Sequence, residues 1–155
     1  MKIDAKVQSI SKLKDYFFLV PDYQREYVWK PDDEVEQFLI DIENEYSPDA
    51  KEQRNYFLGS IIIVNNDRCF DVVDGQQRLT TIMLSLCVFR DLLKKETLNS
   101  AQKNYLQIIE NLLYNFDIES GETRVRLELQ YEESHDYLTC LLYTSPSPRD
   151  PKTSR

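Results

Sequence analysis

Five consecutive residues combine the groups that a phosphate site needs: Asp74, Gly75, Gln76, Gln77 and Arg78. An apolar run typical of a strand precedes them and an apolar helical run follows, so the chain should turn sharply here from strand to helix. The first N–H groups of a helix have no partner within it, and with the helix dipole they favour an anion. A guanidinium in the first turn adds a forked donor for phosphate oxygens. The sequence therefore predicts an anion site at this turn.

The side chains of this turn have several candidate roles. Arg78 can bind a phosphate, and Asp74 can cap the helix, hold a metal ion or orient a water molecule. The other polar donors are the amides and hydroxyls of Gln76, Gln77, Thr80 and Thr81. A simpler interpretation stays open, in which Asp74 is only the helix cap and Arg78 only a surface ion pair.

A second polar cluster lies between the first predicted strand and the first predicted helix. Arg25 is flanked there by Gln24 and by the aromatic residues Tyr23, Tyr27 and Trp29. This mixture suits a pocket that stacks a planar base while gripping a charged group. In the alternative interpretation, the aromatic side chains seal the core against the next helix.

The composition describes one acidic globular domain in the cytoplasm. Its 155 residues are 41% hydrophobic, and 27 Asp plus Glu against 19 Lys plus Arg give a net charge of −8. Such acidity argues against a general clamp on the DNA backbone, although a local basic pocket remains compatible with it. No apolar run approaches the length of a membrane span, and no signal peptide is visible. The spacing of Cys69, Cys87 and Cys140 predicts reduced thiols.

Several kinds of catalytic centre are excluded by residue type. His135 is the single histidine, so a histidine-based metal site, a Ser-His-Asp triad or an HNH nuclease centre cannot be assembled from this sequence. The sequence also lacks the GxxxxGK[ST] pattern of a P-loop and the GxGxxG pattern of a dinucleotide fold. Any phosphate site must therefore be of another type.

The pattern of apolar residues predicts a mixed α+β domain. Strands are expected at 17–21, 56–64, 69–73 and 124–131, with 56–64 buried on both faces. Helices are expected to begin at Pro31 and to cover 76–95 and 102–116, and the helix at 76–95 should be apolar nearly all round. A tight turn is expected at 65–67.

The composition changes near Cys140. Residues 141–155 hold three of the six prolines within a short stretch and lose their apolar periodicity, so they should not fold on their own. They are either a Pro/Ser linker to a further domain or translated sequencing-adapter read-through. We therefore expect a domain at 1–140, truncated at its C-terminal end, and a disordered tail at 141–155.

Three motifs in this order resemble the N-terminal domain of GmrSD-type, modification-dependent restriction proteins. They are PDYQREYVW at 21–29, YFLGSI at 56–61 and VDGQQRLTT at 73–81, and the resemblance covers about residues 5–140. It implies a ParB/sulfiredoxin-like fold, with a small mixed sheet packed against several helices. It also implies a domain that binds and hydrolyses a nucleoside triphosphate, with a divalent cation such as Mg²⁺, to control cleavage of modified or phage DNA.

The resemblance also assigns residues. It implies catalytic roles for Asp74, Gln77 and Arg78, with Asp74 as the metal ligand. The residues that it implies in nucleotide or phosphate binding are Tyr23, Gln24, Arg25, Gly59, Ser60, Gly75, Gln76, Thr80 and Thr81. An HNH nuclease domain usually follows this domain in the family, and the sequence does not contain one.

Two other functions remain open. The same pocket could hold a phosphate of the DNA backbone in a non-catalytic binding or adaptor module, although the net charge counts against it. The fragment could also be inactive without its partner domain. The sequence is also compatible with an oligomer.

Overall fold

The computed structural model describes residues 2–46, 55–116 and 118–130. A 3₁₀-helix at Ile10–Asp15 and a π-helical turn at Pro31–Val35 accompany three α-helices: α1 (Glu36–Glu45), α2 (Gln76–Lys94) and α3 (Ser100–Leu113). The strands are β1 (Phe18–Val20), β2 (Ile62–Asn66), β3 (Cys69–Asp74), β4 (Tyr114–Phe116), β5 (Thr123–Val125) and β6 (Leu127–Leu129). The predicted start at Pro31 is confirmed, since proline fits a first helical turn.

Four strands form one mixed sheet in the order β2-β3-β1-β6. The central strand β1 runs parallel to both of its neighbours, with Phe18 opposite Phe70 of β3 and Leu127 of β6. The outer strand β2 forms an antiparallel hairpin with β3, and its turn lies at Asp67 and Arg68 rather than at 65–67, because β2 stays paired with β3 through Asn66. This arrangement confirms the α+β class, and it brings the carboxyl ends of β1, β3 and β6 to the same edge of the sheet.

Helix α2 begins at this edge and packs one face against the sheet. Leu79 and Met83, one turn apart, are completely buried, and Cys87 continues the same face. The buried core cluster contains Phe18, Val20, Val72, Leu79, Met83, Cys87, Leu113, Leu127 and Leu129. The core therefore fixes the start of α2 relative to the ends of β1 and β3.

The predicted strand at 56–64 differs from the structure in extent and burial. The ladder begins only at Ile62, and β2 is an edge strand whose side chains are largely exposed. Residues 55–61 approach it without regular structure because they pass over the start of α2, where Gly75 lies beside the main chain of Ser60 and Ile61. A run of β-branched residues suits an edge strand as well as a buried one.

The helix predictions need two corrections. Helix α2 is not buried all round, because Phe89 and Leu92 near its end are 54% and 53% exposed and line an apolar groove of about 500 Å³ against α3. Helix α3 ends at Leu113, and Tyr114–Phe116 forms a strand that pairs with β5. Three residues of the predicted helix at 102–116 are therefore strand, since pairing with β5 outweighs the continuing helical pattern.

The strand predicted at 124–131 is two strands in two sheets. Val125 belongs to β5 and pairs with β4, whereas Leu127 and Leu129 belong to β6 and are buried beside β1. Between them, Arg126 turns its N–H to the carbonyl oxygen of Leu113. The alternating pattern continues through this switch, so it could not show that the chain changes partners. The predicted tail, His135 and Cys140 lie outside the described residues.

Burial raises the pKa of the Cys87 thiol from 9.0 to about 11. A thiol with a higher pKa in the folded state contributes stability that is fully present below its unfolded pKa and is lost as the pH rises through the folded pKa. We therefore expect the free energy of unfolding to fall between pH 9 and 11, by about 2 kcal/mol from this group. Urea unfolding at a series of pH values measures the slope.

Cys87→Ala is the control for this prediction. The variant loses some packing at every pH, but the part of the slope that the thiol causes should disappear. An identical slope in the two proteins would contradict the assignment. The partly buried Cys69, also a free thiol with a raised pKa from burial, stays in both proteins and cancels in the comparison.

Candidate functional site

A left-handed glycine makes the turn between β3 and α2. Gly75 has φ of +87°, which other residues adopt only with strain, and its carbonyl oxygen accepts the N–H of Leu79 at 2.9 Å to begin the helix. A Cβ at this position would lie 2.8 Å from the carbonyl oxygen of Ser60. The turn therefore needs glycine for both its conformation and its close contact with the incoming chain.

The simpler interpretation of the turn does not describe its geometry. Gly75, not Asp74, occupies the N-cap position, and no side chain caps the helix start. Among the described residues, the guanidinium of Arg78 has no ion-pair partner. Asp74 therefore does not cap the helix and Arg78 forms no ion pair with a described residue, which are the contacts that the simpler interpretation assigned to them.

A small polar cleft opens above this helix start. Its volume is about 200 Å³, and its lining consists of Arg25, Trp29, Asp74, Gly75, Gln76, Gln77 and Arg78. The two sequence clusters therefore meet at one place, as the family resemblance implied. Two guanidinium groups, one carboxylate and the first turn of a helix face the same space.

Gln77 connects the two halves of the cleft. Its side-chain Oε1 accepts the backbone N–H groups of Val28 at 2.8 Å and Trp29 at 3.3 Å, and its Nε2 donates to the carbonyl oxygen of Glu26 at 2.8 Å. The side chain is only 8% exposed. Its amide thus holds segment 26–29 to the first turn of α2, much as a neighbouring strand would.

A second hydrogen bond fastens the same segment one turn further along α2. The hydroxyl of Tyr27 lies 2.9 Å from Oγ1 of Thr81, which itself donates to the carbonyl oxygen of Gln77 at 2.8 Å. A threonine hydroxyl has one hydrogen, so the tyrosine is the donor between them. Arg25 and Trp29 are held at the cleft by these contacts on either side of Tyr27.

The guanidinium group of Arg78 packs closely against Gly59. Its Nη1 donates to the carbonyl oxygen of Ser60 at 3.3 Å, and a Cβ added to Gly59 would fall 2.5 Å from its Cζ. Gly59 and Ser60 thus reach the site through the main chain, beneath the guanidinium group. They are not among the residues that line the cleft.

Four further residues predicted at the site also do not line the cleft. Tyr23 is 74% exposed on the surface, and Gln24 is half-buried in the turn after β1. Thr80 and Thr81 are buried on the inner face of α2, so their hydroxyl groups lie away from the cleft. Trp29, one of the aromatic residues that the sequence suggested for a stacking pocket, does line the cleft, and it also packs on Phe38 of α1 with ring centroids 5.9 Å apart.

The metal prediction rests on one carboxylate. The described residues contain no cluster of three or more side chains that could hold a metal ion. Mg²⁺ commonly binds one or two carboxylates together with the phosphates of its nucleotide, so Asp74 alone suits an ion that arrives with a nucleotide. Among the described residues, no helix is long and apolar enough to cross a membrane.

The comparison with known families gives a match over almost the whole chain. The family described as the GmrSD restriction endonuclease N-terminal domain matches residues 7–153. The chain belongs to this GmrSD family. The resemblance drawn from the three motifs is thereby confirmed, and a comparison with curated proteins finds no match.

The motifs of this GmrSD N-terminal domain occupy related places in the fold. The first contributes the segment that Gln77 holds, the second passes beneath Arg78, and the third forms the turn and the start of α2. All three therefore converge on the cleft, although they are separated by up to about 50 residues along the chain.

Proposed function

We propose that this domain of a restriction system binds and hydrolyses a nucleoside triphosphate and thereby regulates cleavage of modified or phage DNA. The observation that supports this most is that Arg25 and Arg78 both line the cleft at the first turn of α2. Two guanidinium groups beside the first turn of a helix, whose N–H groups have no partner within the helix, form a site for phosphate groups.

The size of the cleft favours phosphates over a whole nucleotide inside it. A volume of about 200 Å³ is below the roughly 300 Å³ at which drug-sized ligand pockets begin. The phosphate chain would thus enter the cleft, while the base and sugar lie at its rim. The indole of Trp29 is the aromatic surface available there for stacking.

The roles follow from the chemistry of each group. Arg78 would stabilise the negative charge that develops on the transferred phosphoryl group. Arg25 would neutralise the charge of the adjacent phosphate group. Asp74 would hold the divalent ion or orient the attacking water, and the ion would supply further neutralisation of the phosphates. Gln77, placed among the catalytic residues by the resemblance, would act by positioning Arg25 and Trp29.

The single tryptophan makes binding directly measurable, because Trp29 lines the cleft and the chain has no other. We expect its fluorescence to change in a saturable way when ATP, GTP, CTP or UTP is added with Mg²⁺, and at least one of them to release phosphate. The same triphosphate without Mg²⁺ is the control for metal-assisted binding.

Two outcomes would contradict this function. If no triphosphate alters the fluorescence or is hydrolysed, the nucleotide assignment is wrong. If DNA instead binds with an affinity that falls steeply with salt and no turnover is seen, the cleft is a DNA phosphate site in a non-catalytic module.

A further inference from the structure

We propose that Gly59 is a positioning residue for Arg78, rather than a direct ligand of phosphate. The inference rests on the proposed function and explains how the guanidinium group of Arg78 is held in place. Gly59 would provide a backbone surface without a side chain against which the guanidinium packs. The orientation of the guanidinium toward the cleft would thus be fixed before a ligand binds.

The close approach of Arg78 is the first observation. A Cβ added to Gly59 would lie 2.5 Å from Cζ, 2.6 Å from Nη1 and 2.8 Å from Nε of Arg78. Real Cβ atoms do not approach other heavy atoms so closely, so any side chain here would push the guanidinium away. Because the guanidinium is the far end of a flexible side chain, it would move while the surrounding backbone stays.

The backbone supplies the second observation. Gly59 has φ of +109°, a conformation that glycine adopts readily, and the next carbonyl, that of Ser60, accepts the hydrogen bond from Nη1 of Arg78. The same carbonyl group also contacts Gly75, so segment 59–61 packs between the side chain of Arg78 and the turn at Gly75. The backbone segment that supports Arg78 therefore packs directly on the turn that begins α2.

A direct role of Gly59 in binding has less support. Gly59 is half-buried beneath the guanidinium and does not line the cleft, whereas Arg78 does. Its influence on a phosphate would thus pass through Arg78. This distinction can be measured, because an effect that passes through Arg78 must vanish when that side chain is removed.

The test compares Gly59→Ala with Gly121→Ala in the full chain. Gly121 also has positive φ, +71°, but a Cβ there would meet no atom within 4 Å, so this variant measures backbone strain alone. We expect Gly59→Ala to lower phosphate release by about 10- to 100-fold through misplacement of Arg78. Gly121→Ala should keep the wild-type rate.

A double-mutant cycle separates positioning from a general loss of structure. In an Arg78→Ala background, Gly59→Ala should cause no further loss of nucleotide affinity, measured by Trp29 fluorescence. The backbone strain of an alanine at φ of +109° is present in both backgrounds and cancels in the cycle, so the cycle reports the clash with Arg78 alone. If Gly59→Ala alone is unfolded, Arg78→Ala should restore its folding, since the clash is removed.

The failures of the two proposals differ. If Arg78→Ala keeps wild-type affinity and turnover, the proposed function is wrong. If Arg78→Ala abolishes turnover but Gly59→Ala leaves it unchanged, or if the two substitutions are additive in affinity, the positioning role is overturned. An unfolded Gly59→Ala that Arg78→Ala does not rescue would overturn it as well.

Discussion

Arg78→Ala is expected to lower phosphate release by about 100- to 1000-fold while the protein stays folded, because one preorganised donor to developing charge is removed. The fold should tolerate the change, since Arg78 is only half-buried and, among the described residues, its guanidinium donates to one carbonyl oxygen, that of Ser60. Phosphate release under saturating nucleotide measures the effect, and circular dichroism checks the fold.

Two variants control this prediction. Arg68→Ala removes the same charge from an exposed position at the opposite end of β3, and its turnover should match the wild type. Arg78→Lys keeps the charge but loses the forked geometry, so it should retain only part of the activity. Equal activity in Arg78→Ala and Arg68→Ala would remove Arg78 from the mechanism.

Gln77→Ala is expected to lower the free energy of unfolding by about 3 kcal/mol, from three hydrogen bonds worth about 1 kcal/mol each. The lost bonds are those to the backbone of Glu26, Val28 and Trp29. Since the same bonds place Arg25 beside Arg78, nucleotide affinity should fall as well. Urea unfolding measures the first effect and isothermal titration calorimetry the second.

The preceding residue provides a matched control. Gln76 has the same side chain and lies in the same helical turn, but no hydrogen bond of its amide is seen among the described residues, so Gln76→Ala should change stability by less than about 0.5 kcal/mol. If Gln76→Ala and Gln77→Ala are equally stable, the amide of Gln77 does not hold the segment.

The turn at the cleft could be predicted because its signals are local. Asp74 and Gly75 end a strand, and the apolar residues after them follow helical spacing, so the helix start and its anion-binding groups needed no tertiary information. The convergence of Arg25 on the same site was expected from the family resemblance and not from residue type. The structure places Arg25 in the lining of the cleft.

The contacts beneath and beside the cleft could not be predicted in this way. Whether an amide such as that of Gln77 faces a ligand or a neighbouring backbone depends on where segment 26–29 passes. Gly59 likewise shows only in three dimensions that it lies under Arg78. Trp29 faces both the cleft and Phe38, so its two candidate roles were never exclusive.

The errors in the fold have a similar cause. A β-branched run indicates a strand but not its neighbours, so β2 was expected to be buried on both faces and instead lies exposed at the edge of the sheet. The alternation through Val125, Leu127 and Leu129 indicates extended chain, but the switch between two sheets at Arg126 depends on the partners β4 and β1. Partner choice is a long-range property that periodicity does not encode.

The place of β1 in the sheet has a consequence for the order of folding. Phe18 pairs with Phe70 on one side and Leu127 on the other, so both partners are synthesised long after β1 itself. Parallel pairing over such sequence distances is slow because a long loop must close first. The residues that line the cleft have all been synthesised once the chain reaches Arg78, but the sheet behind it is complete only after β6 has emerged about 50 residues later.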